Sequence, residues 1–254
     1  MNEVLLVLTG LLAGFIDAIA GGGGLITLPT LTLLLGAGAH AIGTNKIGGS
    51  VAAAMALFVY SRKGHTDWKR SLVFALWVAL GAFAGSRVSP LIAPAGFRLI
   101  LVVSCPLILW VVYRKDLWVE REAKTHTRKR GWRSVLETGV VFSGLACGFY
   151  DGLWGPGGGT FMFLALVFVG RLPLLTALAA SKLANLVSAL TALASYASGG
   201  WVHWHEGIVM ASTMAIGAMM GAQQANRRAA QIVRPVLVTV VVLLLANLLF
   251  VFRG

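Results

Sequence analysis

The stretch GFIDAIAGGGGLITLP, residues 14–29, decides how this chain is built, and it returns in related form as GFYDGLWGPGGGTFMF, residues 148–163. Each stretch is apolar, carries one aspartate and is interrupted by a cluster of glycines. A glycine inside a helix costs about 1 kcal/mol relative to alanine, so contiguous glycines predict a break. We therefore expect each stretch to form two helical pieces that meet at an unwound, glycine-lined break.

The two stretches belong to an internal duplication. The first landmarks recur 134 residues later, and after a two-residue insertion the offset becomes 136, which pairs Lys46 with Lys182. Several further glycines and tryptophans match at the same offset, which indicates a true duplication and not coincidence. We predict an N-terminal membrane repeat, 1–113, a basic connecting loop, 114–134, and a C-terminal membrane repeat, 135–254.

The composition indicates a membrane protein. Of the 254 residues, 57% are hydrophobic and 12% are charged, whereas soluble domains carry about 25% charged residues. The mean hydropathy is +0.82. The apolar segments are continuous runs, which favours helices over the alternating strands of a barrel. We expect an all-α polytopic membrane protein in which each repeat has a glycine-broken helical hairpin followed by three transmembrane helices.

The positive charges predict the topology. The formal net charge is +12, but the lysines and arginines cluster between apolar runs and form no nucleic-acid-binding module, so nucleic acid is not an expected partner. The positive-inside rule places the loops 61–70, 114–133 and 227–234 on the cytoplasmic side of the inner membrane and the segments 87–98 and 199–206 outside. The two repeats then have opposite orientations, which is typical of secondary transporters with a site at the repeat interface.

The broken segments and the buried polar residues near them form the candidate site. Broken helices expose backbone N–H groups and a positive dipole end, where an anion can bind. Two membrane-embedded lysines related by the repeat could face one anion from both sides. The predicted substrate-binding residues are Gly21, Gly22, Gly23, Gly24, Thr27, Asn45, Lys46, Gly157, Gly158, Gly159, Thr160, Ser181, Lys182 and Asn185.

Structural alternatives exist for each of these groups. The glycines can simply permit close helix packing, as we expect at Gly81 and Gly217. The lysines can extend to the membrane surface or pair with Asp17 and Asp151, the acidic residues deep in apolar runs. For these aspartates we favour a structural ion pair over the transfer of a coupling proton.

The sequence predicts no enzyme activity, no metal site and no cofactor. His203 and His205 flank Trp204 at a loop–helix junction, where solvated histidines in an interfacial aromatic belt are favoured over metal ligands. No Walker lysine follows the glycines and no strand precedes them, so neither a P-loop nor a dinucleotide fingerprint is indicated.

These motifs resemble the sulfite exporter TauE/SafE family, the four-transmembrane-unit sulfite and sulfonate permeases, from about Leu5 to Phe252. The resemblance is carried by Gly14 to Asp17, Gly21 to Gly24, Leu28-Pro29, Gly43 to Lys46, Gly148 to Asp151 and Gly155 to Gly159. It implies an inner-membrane permease for sulfite, thiosulfate, C2–C3 sulfonates or carboxylates. The second repeat departs from the first, because Ala180-Ser181-Lys182 replaces Thr44-Asn45-Lys46.

Residues and resemblance together predict a secondary transporter that moves a small sulfur-containing or organic anion across the inner membrane by alternating access. An anion channel and a carboxylate permease of the same architecture are the alternatives. The expected partners are the small anionic substrate and the lipid bilayer, with a proton as the candidate coupling ion and a homodimer as the candidate assembly.

Overall fold

The computed structural model describes residues 2–92 and 138–252. Within these ranges the chain is helical, with no strand, which confirms the all-α class. The predicted connecting loop 114–134 lies outside the described residues. The helices are α1 (Asn2–Ala20), α2 (Gly24–Leu35), α3 (Ala39–Arg62), α4 (Trp68–Val88), α5 (Thr138–Leu153), α6 (Gly158–Phe168), α7 (Leu174–Ser198) and α8 (Trp204–Phe252), and a 3-10 turn, Ser89–Leu91, follows α4.

Both glycine clusters break the helix as predicted. The first break separates α1 from α2, and the second separates α5 from α6. Gly21 has φ +76°, Gly155 has φ +99° and Gly157 has φ +77°. Side chains with a Cβ rarely adopt these angles, whereas glycine adopts them freely. Each long apolar run is therefore a pair of helices.

Four helices of the described ranges are long and apolar enough to cross a membrane. They are Glu3–Ala20, Ala39–Arg62, Trp68–Leu91 and Leu174–Ser198. By contrast, α2 has 12 residues and α6 has 11, fewer than the roughly 17–25 that a full crossing needs. Each break is therefore followed by a half-length apolar helix.

The predicted loop at 227–234 is a kink between two helices and not an extended loop. The stretch that we label α8 is two helices that meet at a kink at Arg228, whose backbone is non-helical, with φ −143° and ψ 44°. Arginine and glutamine are good helix formers, so the helices extend up to this kink from both sides. The predicted loop 61–70 also shortens, because α3 extends to Arg62 and the Asp67 carboxylate caps α4 by accepting from the Arg70 N–H at 3.2 Å.

The helices pack mainly across the two halves of the chain. Helix α1 lies against α8, α5 lies against α4, and α3 packs on α7 and α8. A Cβ at Gly14 would overlap the carbonyl of Met214, and a Cβ at Gly148 would overlap that of Val78. Other glycines on these helices also face backbone across the interface: Gly81, Gly85, Gly217 and Gly221. Small residues permit this close approach of membrane helices.

Two turns that correspond in the duplication lie at opposite ends of α3. In the turn between α3 and α4, His65 Nε2 lies 2.7 Å from Asn226 Oδ1. In the turn between α7 and α8, the His203 N–H donates to Thr44 Oγ1 over 2.9 Å. Positions 44 and 65 are separated by about 30 Å at a rise of 1.5 Å per helical residue. The end of α3 and the start of α4, which carry basic residues, therefore lie far from the turn that contains His203.

Candidate functional site

Two buried ion pairs join the halves of the molecule. Lys46 Nζ on α3 lies 2.9 Å from Asp151 Oδ2 on α5, and Lys182 Nζ on α7 lies 3.2 Å from Asp17 Oδ2 on α1. Each ammonium also donates to the backbone carbonyl of the aspartate with which it pairs. All four residues are at most 4% exposed. Of the alternatives for the lysines, the structure shows pairing, and each pair is formed across the halves.

The two glycine-broken segments contact each other between these ion pairs. A Cβ at Gly21 would overlap the backbone of Gly159, and a Cβ at Gly159 would lie 2.9 Å from Gly21 Cα. A Cβ at Gly24 would lie 3.3 Å from Pro156 Cα. We call this backbone contact, formed by residues 21–24 and 156–159, the segment crossing. The glycines allow the two main chains to meet without side chains between them.

The segment crossing contains the beginnings of α2 and α6. The first N–H groups of a helix have no acceptor within that helix. The Gly23 N–H donates to Asp17 Oδ1 over 3.3 Å. In the hydrogen bonding of the described residues, no acceptor faces the N–H of Gly24 or of Gly159. Two free backbone donors and two positive helix-dipole ends therefore lie together.

An asparagine amide lies beside each helix start. Thr27 Oγ1 donates to Asn45 Oδ1 over 2.5 Å, which leaves the Asn45 amide nitrogen as a donor. That nitrogen is 3.4 Å from the position of a Cβ at Gly24, and Asn185 Nδ2 is 3.1 Å from that of a Cβ at Gly159. Both asparagines are 6% exposed. The crossing is therefore lined by uncharged N–H donors.

Other predicted site residues have structural contacts. Thr160 Oγ1 donates to the Ala20 carbonyl over 2.6 Å and ties α6 to the end of α1. Gly158 faces the Asp151 carboxylate, and Gly22, although it lies within the first segment, faces Val240 and not the second segment. Ser181 Oγ donates to the Leu178 carbonyl of its own helix over 2.8 Å. The structure thus gathers most of the predicted residues at one place, with Gly22 and Ser181 as exceptions.

Three residues of this region were not predicted. Ser188 Oγ donates to Asp151 Oδ2 over 2.6 Å. Tyr60 donates to the Ala18 carbonyl and Tyr196 to the Gly152 carbonyl, each over 2.9 Å. The two tyrosines are related by the offset of 136, so the duplication contained the signal that marks them. Ser188 has no such partner, and nothing in the sequence singled it out.

The fold and this site define a multi-pass membrane transporter. Long apolar helices surround two broken segments, and charged side chains are buried where the halves meet. The model of the sulfite exporter TauE/SafE family matches residues 6–248. The chain belongs to this family and is a multi-pass protein of the inner membrane.

Curated relatives of similar length support this assignment. A "Probable membrane transporter protein ORF9" of Sinorhizobium sp is 31% identical over 245 residues, which is 96% of this chain and 91% of that protein. A "Probable membrane transporter protein" of Haemophilus influenzae is 32% identical, covering 97% and 94% of the two chains. The "Probable membrane transporter protein YfcA" of Escherichia coli K12 is 30% identical, covering 98% and 90%. No solved structure matches the chain.

Proposed function

We propose that the chain is a secondary transporter, and not an enzyme, that moves a small sulfur-containing or organic anion across the inner membrane by alternating access. Sulfite, thiosulfate and C2–C3 sulfonates are the proposed substrates. The observation that carries the proposal is the segment crossing, where the free N–H groups of Gly24 and Gly159 lie between two buried ion pairs.

The donors at the crossing suit an oxyanion. Such an anion presents several oxygen acceptors, and backbone N–H groups at helix starts bind them without rearrangement of the protein. An ammonium has three donors. Lys46 donates to the carbonyl and a carboxylate oxygen of Asp151, and Lys182 does the same at Asp17. We propose that the remaining donor of each lysine also faces the substrate.

The inverted arrangement of the halves is part of the proposal. Inverted repeats are related by an axis in the membrane plane and move against each other around a central site. Two features support this arrangement: the corresponding turns lie at opposite ends of α3, and the ion pairs join one half to the other. The motion would expose the segment crossing to one side of the membrane at a time.

Flux measurements on the purified chain in proteoliposomes test the function. We expect saturable uptake of one anion from a panel of sulfite, thiosulfate, sulfoacetate, sulfate and acetate. Asn45→Ala should abolish uptake, whereas Asn226→Ala, which makes the same change at the His65 contact outside the crossing, should retain it. Flux that does not saturate would identify a channel, and preference for acetate would identify a carboxylate permease.

A proton is the proposed coupling ion, with Asp17 and Asp151 as the carboxylates able to carry it. An inwardly or outwardly directed pH gradient should then change the rate of uptake. Equal rates with and without the gradient would remove the proton from the mechanism and leave the two aspartates as structural partners of the lysines.

A further inference from the structure

The segment crossing has no net side-chain charge. Among the residues whose burial the structure describes, the buried charged side chains are Asp17, Lys46, Asp151 and Lys182. They form two one-to-one ion pairs, so their charges cancel. An anion at the crossing would therefore meet uncharged donors and paired lysines, and no cation without its own carboxylate.

The remaining positive potential comes from the helix starts. A helix N-terminus is equivalent to about half of a positive charge. Helices α2 and α6, of 12 and 11 residues, both begin at the crossing. Together they compensate roughly one negative charge. The cost of taking an ion out of water rises with the square of its charge, so a second negative charge would be poorly compensated.

Asn185 is a second feature, independent of the helix starts, that favours a ligand at the crossing. Asn185 is 6% exposed, its amide nitrogen lies close to the start of α6 at Gly159, and the hydrogen bonds found within the described ranges do not involve its side chain. Its amide N–H groups are therefore available as donors at the crossing. The offset of 136 places Gly49 opposite it, where a Cβ would meet nothing within 4 Å. The Asn185 amide therefore has no counterpart at its own repeat position, and the amide at the start of α2 comes from Asn45 instead.

We propose that this site selects a singly charged oxyanion, such as hydrogensulfite or an alkanesulfonate, and rejects doubly charged anions such as sulfate and thiosulfate. The inference rests on the proposed function, since it assigns the charge of the substrate at the same site. It narrows the candidate substrates, because thiosulfate carries two charges at neutral pH.

Methanesulfonate and sulfate are the matched probes. Both are tetrahedral sulfur oxyanions, they carry one and two charges, and neither titrates near neutral pH. For the full chain in detergent, measured by calorimetry, we expect methanesulfonate to bind at least tenfold more tightly than sulfate. Equal or tighter binding of sulfate overturns the inference about charge, but the proposal that the chain transports an anion still stands. If neither methanesulfonate nor any anion of the flux panel binds, the charge inference and the proposed anion transport are both overturned.

A charge-addition variant tests the cause. Asn185→Lys adds one unpaired positive charge at the crossing and should shift the ratio of the two affinities toward sulfate by at least tenfold. Gln224→Lys adds the same charge at an exposed position of α8 and should leave the ratio unchanged. An unchanged ratio in a folded Asn185→Lys protein contradicts the proposal. If that variant does not fold, the ratio of methanesulfonate to sulfate affinity in the unmodified chain still tests the charge inference.

Discussion

Ser188 donates a 2.6 Å hydrogen bond to the Asp151 carboxylate, and Asp17 has no equivalent contact because the offset of 136 places Ala52 opposite Ser188. The same oxygen of Asp151 accepts from Lys46 at 2.9 Å, whereas Asp17 lies 3.2 Å from its own lysine. The two ion pairs correspond in sequence, but only the Asp151 carboxylate also accepts a hydrogen bond from a serine on α7. We therefore expect substitutions at the two pairs to have unequal effects.

Ser188→Ala should lower the free energy of unfolding by about 1.5–3 kcal/mol, because it removes a hydrogen bond to a charged group. The control is Ser143→Ala on α5, whose hydroxyl donates to the Val140 carbonyl of its own helix. That change should stay within about 0.5 kcal/mol. Denaturant unfolding in detergent provides the comparison. Equal stability of the two alanine variants would show that the Ser188 contact contributes nothing.

Lys46→Met should destabilise the protein by about 3–5 kcal/mol, since it leaves a buried carboxylate without its partner. Adding Asp151→Asn should recover part of this loss. The mismatched double variant, Lys46→Met with Asp17→Asn, breaks both ion pairs and should be less stable than Lys46→Met alone. Unfolding midpoints of the three variants check the pairing. Recovery in the mismatched variant would mean that the lysine is not specific for Asp151.

Gly21→Ala should abolish transport and lower stability by more than backbone strain alone. Gly64→Ala is a matched control, because the two glycines have φ of +76° and +75°. The strain should therefore be similar, about 1–2 kcal/mol. A Cβ at Gly64 meets nothing within 4 Å, whereas a Cβ at Gly21 would overlap Gly159. Flux and thermal unfolding of both variants measure the difference, and equal behaviour would show that contact at the crossing is dispensable.

Gly85→Ala and Gly49→Ala should change stability in opposite directions. A Cβ at Gly85 would overlap the carbonyl of Phe149 on α5, and overpacking costs about 1–3 kcal/mol. A Cβ at Gly49 meets open space within α3, so alanine should stabilise that helix by about 0.5–1 kcal/mol. Thermal unfolding tests both signs. A stabilised Gly85→Ala protein would contradict the close packing of α4 on α5.

Cysteine labelling should place the turn after α3 and the α8 kink on one side of the membrane. In a background without Cys105 and Cys147, Lys63→Cys and Arg227→Cys should react with an impermeant reagent from the cytoplasmic side. His205→Cys, exposed at the other end of α3, should react from the opposite side. Reaction of all three from one side would exclude the inverted topology.

The helical class and both helix breaks could be predicted from the sequence, because glycines act through local backbone preferences. Contiguous glycines cost helix stability wherever they occur, and α1 and α5 end at them. The shortness of the break at Arg228 was missed, since the polar residues around it resemble a loop in hydropathy but favour helix in backbone conformation.

The pairing of charges could not be derived from spacing. The duplication relates Lys46 to Lys182 and Asp17 to Asp151, but either lysine could have paired within its own half. Helix packing does not decide it either, because α1 also packs on α3 and α5 also packs on α7 within the same half. Ser188 was not recognised for the same reason, because its partner lies on another helix.

The packing of α1 against α8 sets an order for biosynthesis. A ribosome delivers the N-terminal part first, and helices inserted early wait for their later neighbours. The glycine face around Gly14 then stays in contact with lipid until the stretch around Met214 has been inserted. Assembly of the bundle is therefore completed only near the end of translation, and a truncated product would present an uncovered helix face to the cell's quality-control proteases.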